Sequence, residues 1–450
     1  MKYLLFTTAI LCMPVAVMLL VVRKRMLRTA MFAMLLPLLV FQSTSINFFS
    51  HEWYRGTSRG MEVSLIYLAA VVIVCAITLL RGFRPFLPNA GAKLYALYFA
   101  LSLPSLLTAE NTLFAFFEIW KMAMIYFVYL AVYYYLEYTK GDFKPILLAF
   151  AAITVCVFAS VVKQHFLGVY QVYAQFPHQN SLAMFMMPIG ILFFSAFLNG
   201  KTKGYGRLVY FGLFLMASGA LLRTYSRGAI ACYPIACAIT AGLSVAFEFR
   251  PQKVRALGAI CAVGGLVVLM FIPRVIERFE SAPESSGQTR LNFAIAAKNM
   301  IADEPFFGIG INNWGIKINP PYKYSEHRDP SKGFTDDYKD GIVETIYLLV
   351  CAECGIPCFI ALIAFFFYHL KTAFAAMRKL RCTPYFFIPA ALVGGFAGIY
   401  LQSVLEWVLK QQVNFTELMV FFAIVSFADK YARLLRERAK TASKSGGILV

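Results

Sequence analysis

Ile66-Tyr-Leu-Ala-Ala-Val-Val-Ile-Val-Cys-Ala-Ile-Thr-Leu-Leu80 contains no charged side chain and is apolar on every face of a helix. Such a segment has no polar side to offer water, so it belongs in the core of a large protein or in a membrane. Ala256 to Ile272 is of the same kind. Working outward, comparable segments recur at 3–22, 29–48, 62–80, 94–107, 113–136, 146–162, 180–198, 208–222, 228–247, 256–272, 343–370, 384–403 and 415–429. A hydrocarbon layer about 30 Å thick asks for roughly 20 apolar residues per helix, whereas barrel strands would be about 10 residues of alternating polarity. With 60% apolar and 14% charged side chains and a mean hydropathy of +0.66 over 450 residues, the chain lies outside the range of soluble domains. The expected fold class is all-α, a polytopic transmembrane bundle of about thirteen helices with one large loop outside the membrane between Pro273 and Gly341.

The connectors between these segments alternate in charge. Those at Arg23–Arg28, Arg81–Lys93, Lys140–Lys144, Lys201–Arg207, Arg250–Arg255 and Lys371–Arg381, with the tail Lys430–Lys444, hold 25 of the 42 basic residues, all on one side of the expected topology. Positive residues concentrate in the cytoplasm, so this side is read as cytoplasmic. The loop from Pro273 to Gly341 falls on the other side and is near neutral, with nine basic and ten acidic residues. The chain therefore divides into 1–272 with ten helices, the loop 273–342, 343–429 with three helices, and a basic cytoplasmic tail, 430–450. The first segment has its basic cluster after the apolar run, unlike a secretory signal, and is read as a retained helix with its amino end outside. The net charge of +19 is topological and faces anionic headgroups of membrane lipids, so no nucleic-acid partner is expected. Nine of the ten cysteines fall in apolar helices and none in the loop, which argues against a disulfide framework.

Ionisable groups at membrane depth are costly, so each is a functional candidate by default. Glu118 and Lys121 share a helix face three residues apart; either they pair, or Lys121 faces an outward cavity holding an anion. Glu353 reads equally well as an interhelical hydrogen-bonding group, and Glu406 and Lys410, flanking Trp407, as interface anchors. The tight outward connector Arg223-Thr-Tyr-Ser-Arg227-Gly228 is sharper, because positive-inside bias disfavours two arginines there. A phosphate or pyrophosphate is the natural partner of a guanidinium fork. A second outward connector, Lys163–Asn180, supplies His178 and Asn180 among amides and aromatics, a mixture suited to sugars and equally to an ordinary interfacial loop.

In the large loop, Phe293, Ala297, Met300 and Ile301 share a helical face, which predicts an amphipathic helix from near Thr289 to Pro305. Arg290 would then lie in its first turn, beside free N–H groups that favour an anion. Gly308 and Gly310 read as a sharp turn. Asp336, Asp337 and Asp340 read as solvated charge, and no metal or other cofactor is expected. For general-base chemistry the candidates at the outer surface are Glu344 and His327.

Four stretches carry a resemblance to a known family: Phe176-Pro-His-Gln-Asn-Ser-Leu-Ala, Tyr225-Ser-Arg-Gly-Ala, Thr289-Arg-Leu through Glu304-Pro-Phe-Phe-Gly-Ile-Gly-Ile-Asn-Asn-Trp, and Glu344-Thr-Ile-Tyr-Leu through Glu353-Cys-Gly-Ile. In this order, with the long loop before the last, the chain resembles the O-antigen ligase and polymerase superfamily. The resemblance implies metal-independent glycosyl transfer at the periplasmic face of the bacterial inner membrane, from an undecaprenyl-diphosphate-linked glycan to a glycan acceptor, with other polysaccharide assembly proteins as further partners. It also implies that Arg227 and Arg290 hold the donor pyrophosphate. The ligases carry a histidine–asparagine pair where this chain has Glu344-Thr345, which favours polymerisation of exopolysaccharide or O-antigen repeat units over ligation to lipid A core or to protein. A flippase or transporter for lipid-linked sugar would also want arginines in a cavity, but the internal repeat of broken helices is not seen. A non-catalytic scaffold is the remaining alternative.

Overall fold

The computed structural model describes residues 2–84, 86, 89–201, 204–262, 264–265, 284–319, 321–322, 324 and 341–444. Its helices are α1 (Lys2–Val22), α2 (Met26–Leu35), α3 (Leu65–Leu80), α4 (Ala90–Ser102), α5 (Thr112–Tyr138), α6 (Lys144–Phe166), α7 (Gln179–Asn199), α8 (Tyr205–Arg223), α9 (Arg227–Phe247), α10 (251–262), α11 (Glu284–Asp303), α12 (Trp314–Lys317), α13 (Ile346–Lys379), α14 (Phe387–Leu405) and α15 (Gln412–Lys444). Two short strands, β1 (Ser45–Phe48) and β2 (Met61–Ser64), pair antiparallel with Ser45 opposite Ser64. Among the described residues, eight helices are long and apolar enough to cross a membrane: α1, α5 to α9, α13 and α14. The protein is an all-α, multi-pass membrane bundle.

α7 forms the centre, packed against α8, α9 and α14, and nearly all of its side chains are buried. α5 packs on α3 and α15, and α13 on α4, α14 and α15. α1 is the opposite case. Leu4, Leu11, Val15 and Val22 are exposed apolar side chains, as befits a helix whose outer face is left to lipid.

The segment expected as one helix over 29–48 departs from that expectation. Pro37 cannot donate to a helical ladder and restricts the residue before it. The α-helix stops at Leu35, a 3-10 turn follows over Leu36–Leu38, and the chain enters the β1–β2 hairpin. The helix expected over 256–272 is seen as α10 and again at 264–265, residues 263 and 266–272 lying outside the described residues.

The amphipathic helix of the loop is present, with Phe293, Ala297 and Met300 buried against Trp314, Leu349 and Ala352. It starts at Glu284, five residues before the expected Thr289, so Arg290 lies beyond the first turn. The helix-end anion site expected at Arg290 is therefore not formed there. α13 is broken at Gly355, whose φ is +81°. The segment after α11 docks into that break: Ile309 N–H donates to Ala352 O (2.9 Å), Gly310 N–H to Glu353 O (3.1 Å), and Ile356 N–H to Pro305 O (2.8 Å). Backbone meets backbone here, and a Cβ on Gly308 would lie 2.4 Å from the carbonyl carbon of Glu353. Gly308 and Gly310 thus seat the loop on α13, which fixes α11 over the bundle.

The basic connectors gather at one end of the bundle. Arg28 pairs with Asp142 (2.5 Å), Lys379 with Asp429 (2.5 Å) and Lys430 with Glu137 (2.5 Å), tying these connectors to neighbouring helices. The hairpin, α11 and the ends of the helices described next lie at the other end.

Candidate functional site

At the end away from the basic connectors, five chain segments converge. Thr345 Oγ1 donates to Ser403 O (3.3 Å) and Tyr347 to Tyr400 O (2.9 Å), which brings the start of α13 to the end of α14. Asn180 Nδ2 donates to Glu406 Oε1 (2.7 Å), adding the start of α7. Arg290, reaching from α11, lies 2.5 Å from Glu344 Oε2 and 3.8 Å from Glu406 Oε1. Arg227, the first residue of α9, precedes Gly228, which packs against Gln402 and Leu405 at the end of α14, and its charge favours the Glu406 carboxylate. The result is a cluster of two arginines and two carboxylates, with His178 capping α7 beside it.

Glu406 is 5% exposed. Burial, reinforced by the Glu344 carboxylate, pushes its carboxyl up to about 7, against the opposing pull of Arg290, the Asn180 amide and Arg227. Burial likewise lowers His178, and the nearby Glu344 carboxylate opposes that shift. Arg290 and Glu344 are 36% and 38% exposed, so their pair is accessible to a ligand. Several buried polar atoms around the cluster have no protein partner: Arg290 Nε, Ser226 Oγ and both amide atoms of Gln402, on which Gly228 packs. Guanidinium groups beside partly open space can take an anion, and a carboxyl near 7 can take a proton at neutral pH.

The structure thus brings Arg227, Arg290, Glu344, His178 and Asn180 together. Arg223 takes other partners: it contacts His165 Nδ1 and donates to Tyr225 Oη (3.2 Å), which ties the α8–α9 connector to the Lys163–Asn180 segment. His327 lies outside the described residues, as do Asp336, Asp337 and Asp340. Among the described residues no group of three or more His, Cys, Asp or Glu side chains could hold a metal ion.

Lys121 belongs to a separate, buried network and does not face an outward cavity. It pairs with Glu118 (2.6 Å) and donates to Lys410 O (3.1 Å). Lys410 pairs with Glu353 (2.8 Å) and lies 3.8 Å from Glu118, which also accepts from Ser58 (2.6 Å) and Thr57 (2.7 Å). Glu353 in turn accepts from Trp314 N–H (3.2 Å). Two cations and two anions, none more than 5% exposed at the side chain, cancel one another and bind α5, α13, the turn before α15, the hairpin and the loop.

Glu406 and Gln402 were not among the residues singled out for chemistry. Their sequence signal is modest: two polar groups one turn apart close an otherwise apolar helix, and only the convergence of α7, α13 and α14 makes them neighbours of the arginines.

The fold and the cluster together define a multi-pass membrane protein with guanidinium and carboxylate groups gathered at one end. Residues 211–363 match the family model described as O-antigen ligase, which supports a place in the O-antigen ligase-like superfamily, where glycosyl transfer is of the ligase or polymerase type. The matched stretch contains Arg227, Arg290 and Glu344; His178, Asn180 and Glu406 lie outside it. No curated protein matches the chain.

Proposed function

We propose that this protein joins lipid-linked glycan repeat units at the periplasmic face of the bacterial inner membrane, taking the donor from undecaprenyl diphosphate. The observation that supports this most is Arg290 standing between Glu344 and Glu406, with Arg227 beside them. In this reading Arg227 and Arg290 bind the diphosphate and hold its charge as the bond from the anomeric carbon to the phosphate oxygen breaks. A hydroxyl of the acceptor glycan attacks that carbon, and its proton passes to a carboxylate. The sequence left two candidate bases, His327, which lies outside the described residues, and Glu344. Glu344 Oε2 is engaged by Arg290, so we assign the proton to Glu406 and give Glu344 the role of orienting Arg290. His178 and Asn180 line the same end, with Asn180 fixing the Glu406 carboxylate. The basic end is then cytoplasmic and the loop periplasmic.

The description of the matched family favours ligation to a final acceptor as the second reading. The two separate in a strain lacking the protein, complemented with wild type, Arg227→Ala, Arg290→Ala or Glu406→Gln at equal membrane abundance. Polymerisation predicts that the variants leave single repeat units on the carrier. Long polymer that accumulates on the carrier without reaching an acceptor indicates ligation instead, and wild-type polymer in every variant rejects both.

A further inference from the structure

Beside the arginine–carboxylate cluster lies a cavity of about 600 Å³, a size typical of sites for small organic ligands. It is bounded by the β1–β2 hairpin, by Gln175–Pro177 and by the turn from Trp407 to Val413. Three chain connections join it to the cluster. Pro177 precedes His178, Trp407 follows Glu406, and Gln411, on the cavity wall, accepts a hydrogen bond from Ser181, next to Asn180. Among the described residues its lining includes none of Arg227, Arg290, Glu344 and Glu406, so the cavity adjoins the cluster through Pro177 and Trp407, the chain neighbours of His178 and Glu406.

The lining chemistry is specific. The amide side chains of Gln42, Asn47, Gln175 and Gln411 line the same space as Trp407. Asn47 Oδ1 is buried without a hydrogen-bond partner, although its amide nitrogen donates to Ser50 Oγ (3.2 Å). Amides both donate and accept, as sugar hydroxyls do, and an aromatic face suits the C–H side of a pyranose ring. One guanidinium, Arg59, is outnumbered by Glu52 and Glu62, which disfavours a phosphate. So many polar groups also disfavour an acyl chain.

Resting on the function proposed above, the geometry points to this cavity as the subsite for the sugar rings of the acceptor glycan, which it would hold with a hydroxyl directed at Glu406. The β1–β2 hairpin, remote in sequence from the stretch matched to the family, then selects which glycan is extended.

The test uses the purified full-length chain in lipid nanodiscs and native mass spectrometry. One probe is the lipid-linked repeat unit extracted from producing cells, and the other is undecaprenyl diphosphate without sugar. For Gln42→Ala combined with Asn47→Ala, and for Trp407→Ala, the glycolipid should bind about tenfold more weakly while the sugar-free carrier binds as in wild type. Trp407→Phe, which keeps an aromatic face, should retain most glycolipid binding and so controls for misfolding. Unchanged glycolipid binding in the cavity variants, or equal loss of both probes, overturns the subsite. Arg227→Ala and Arg290→Ala test the underlying function separately: if sugar-free carrier still binds them as it binds wild type, the diphosphate site fails whatever the cavity does.

Discussion

At Glu406 two influences oppose each other: burial and the Glu344 carboxylate push the carboxyl up to about 7, while Arg290, Asn180 and Arg227 pull it down. A base must be ionised to accept a proton, so turnover should rise with pH through about 7 and fall away on the acid side. Glu406→Gln should cost roughly 10²–10⁴ in rate, the usual contribution of a general base. Glu344→Gln removes one upward influence and leaves Arg290 nearer to Glu406 alone, so the acid limb should move to lower pH. The measurement is the pH–rate profile with lipid-linked repeat units; a Glu344→Gln enzyme with no remaining activity at any pH would return the base to Glu344. The sequence made Arg227 legible because two cations on an outward connector violate the positive-inside bias. Glu406 was not legible in the same way, because a carboxylate beside Trp407 at a helix end has an ordinary interfacial explanation until α7 and α13 are seen to close over it.

Among the elements, α13 is where sequence pattern and structure diverge most instructively. Hydropathy runs straight through Gly355 and predicts a continuous helix, yet the helix breaks there and the Pro305–Gly310 segment fills the gap with backbone hydrogen bonds. Composition does not reveal such a break, because the partner that makes it tolerable lies more than forty residues earlier. The amphipathic face of α11 was legible from its spacing, whereas its start was not. Beneath the break, the Glu118–Lys121–Lys410–Glu353 network holds the loop to α5 and the turn before α15. Removing one partner of a buried pair strands a charge, so Lys410→Met should cost about 3–5 kcal/mol. Replacing both members with apolar side chains, Glu353→Leu with Lys410→Met, should recover a large part of that loss. Reversible unfolding in mixed detergent micelles measures both. Wild-type stability in the single variant would mean that the network is not what secures the loop.

For the molecule as a whole, the alternation of basic and near-neutral connectors carried most of the architecture, because a membrane forces each span to reverse direction and the charge bias then sorts the connectors into two sets. Among the described residues the basic connectors meet at one end of the bundle and the arginine–carboxylate cluster lies at the other. Proposed as a periplasmic enzyme, the protein must keep that end outside. Cys382 is exposed between α13 and α14 at the basic end, whereas Glu110 is exposed at the other, paired with Lys317 (3.0 Å). In a variant retaining Cys382 as its sole cysteine, a membrane-impermeant maleimide should react only after the inner membrane is opened. In a cysteine-free background, Glu110→Cys should react in cells whose outer membrane alone has been permeabilised. The reverse pattern would place the arginine–carboxylate cluster in the cytoplasm, where it would not meet a glycan that has already been moved across the membrane, and the proposed reaction would have to be abandoned along with the topology.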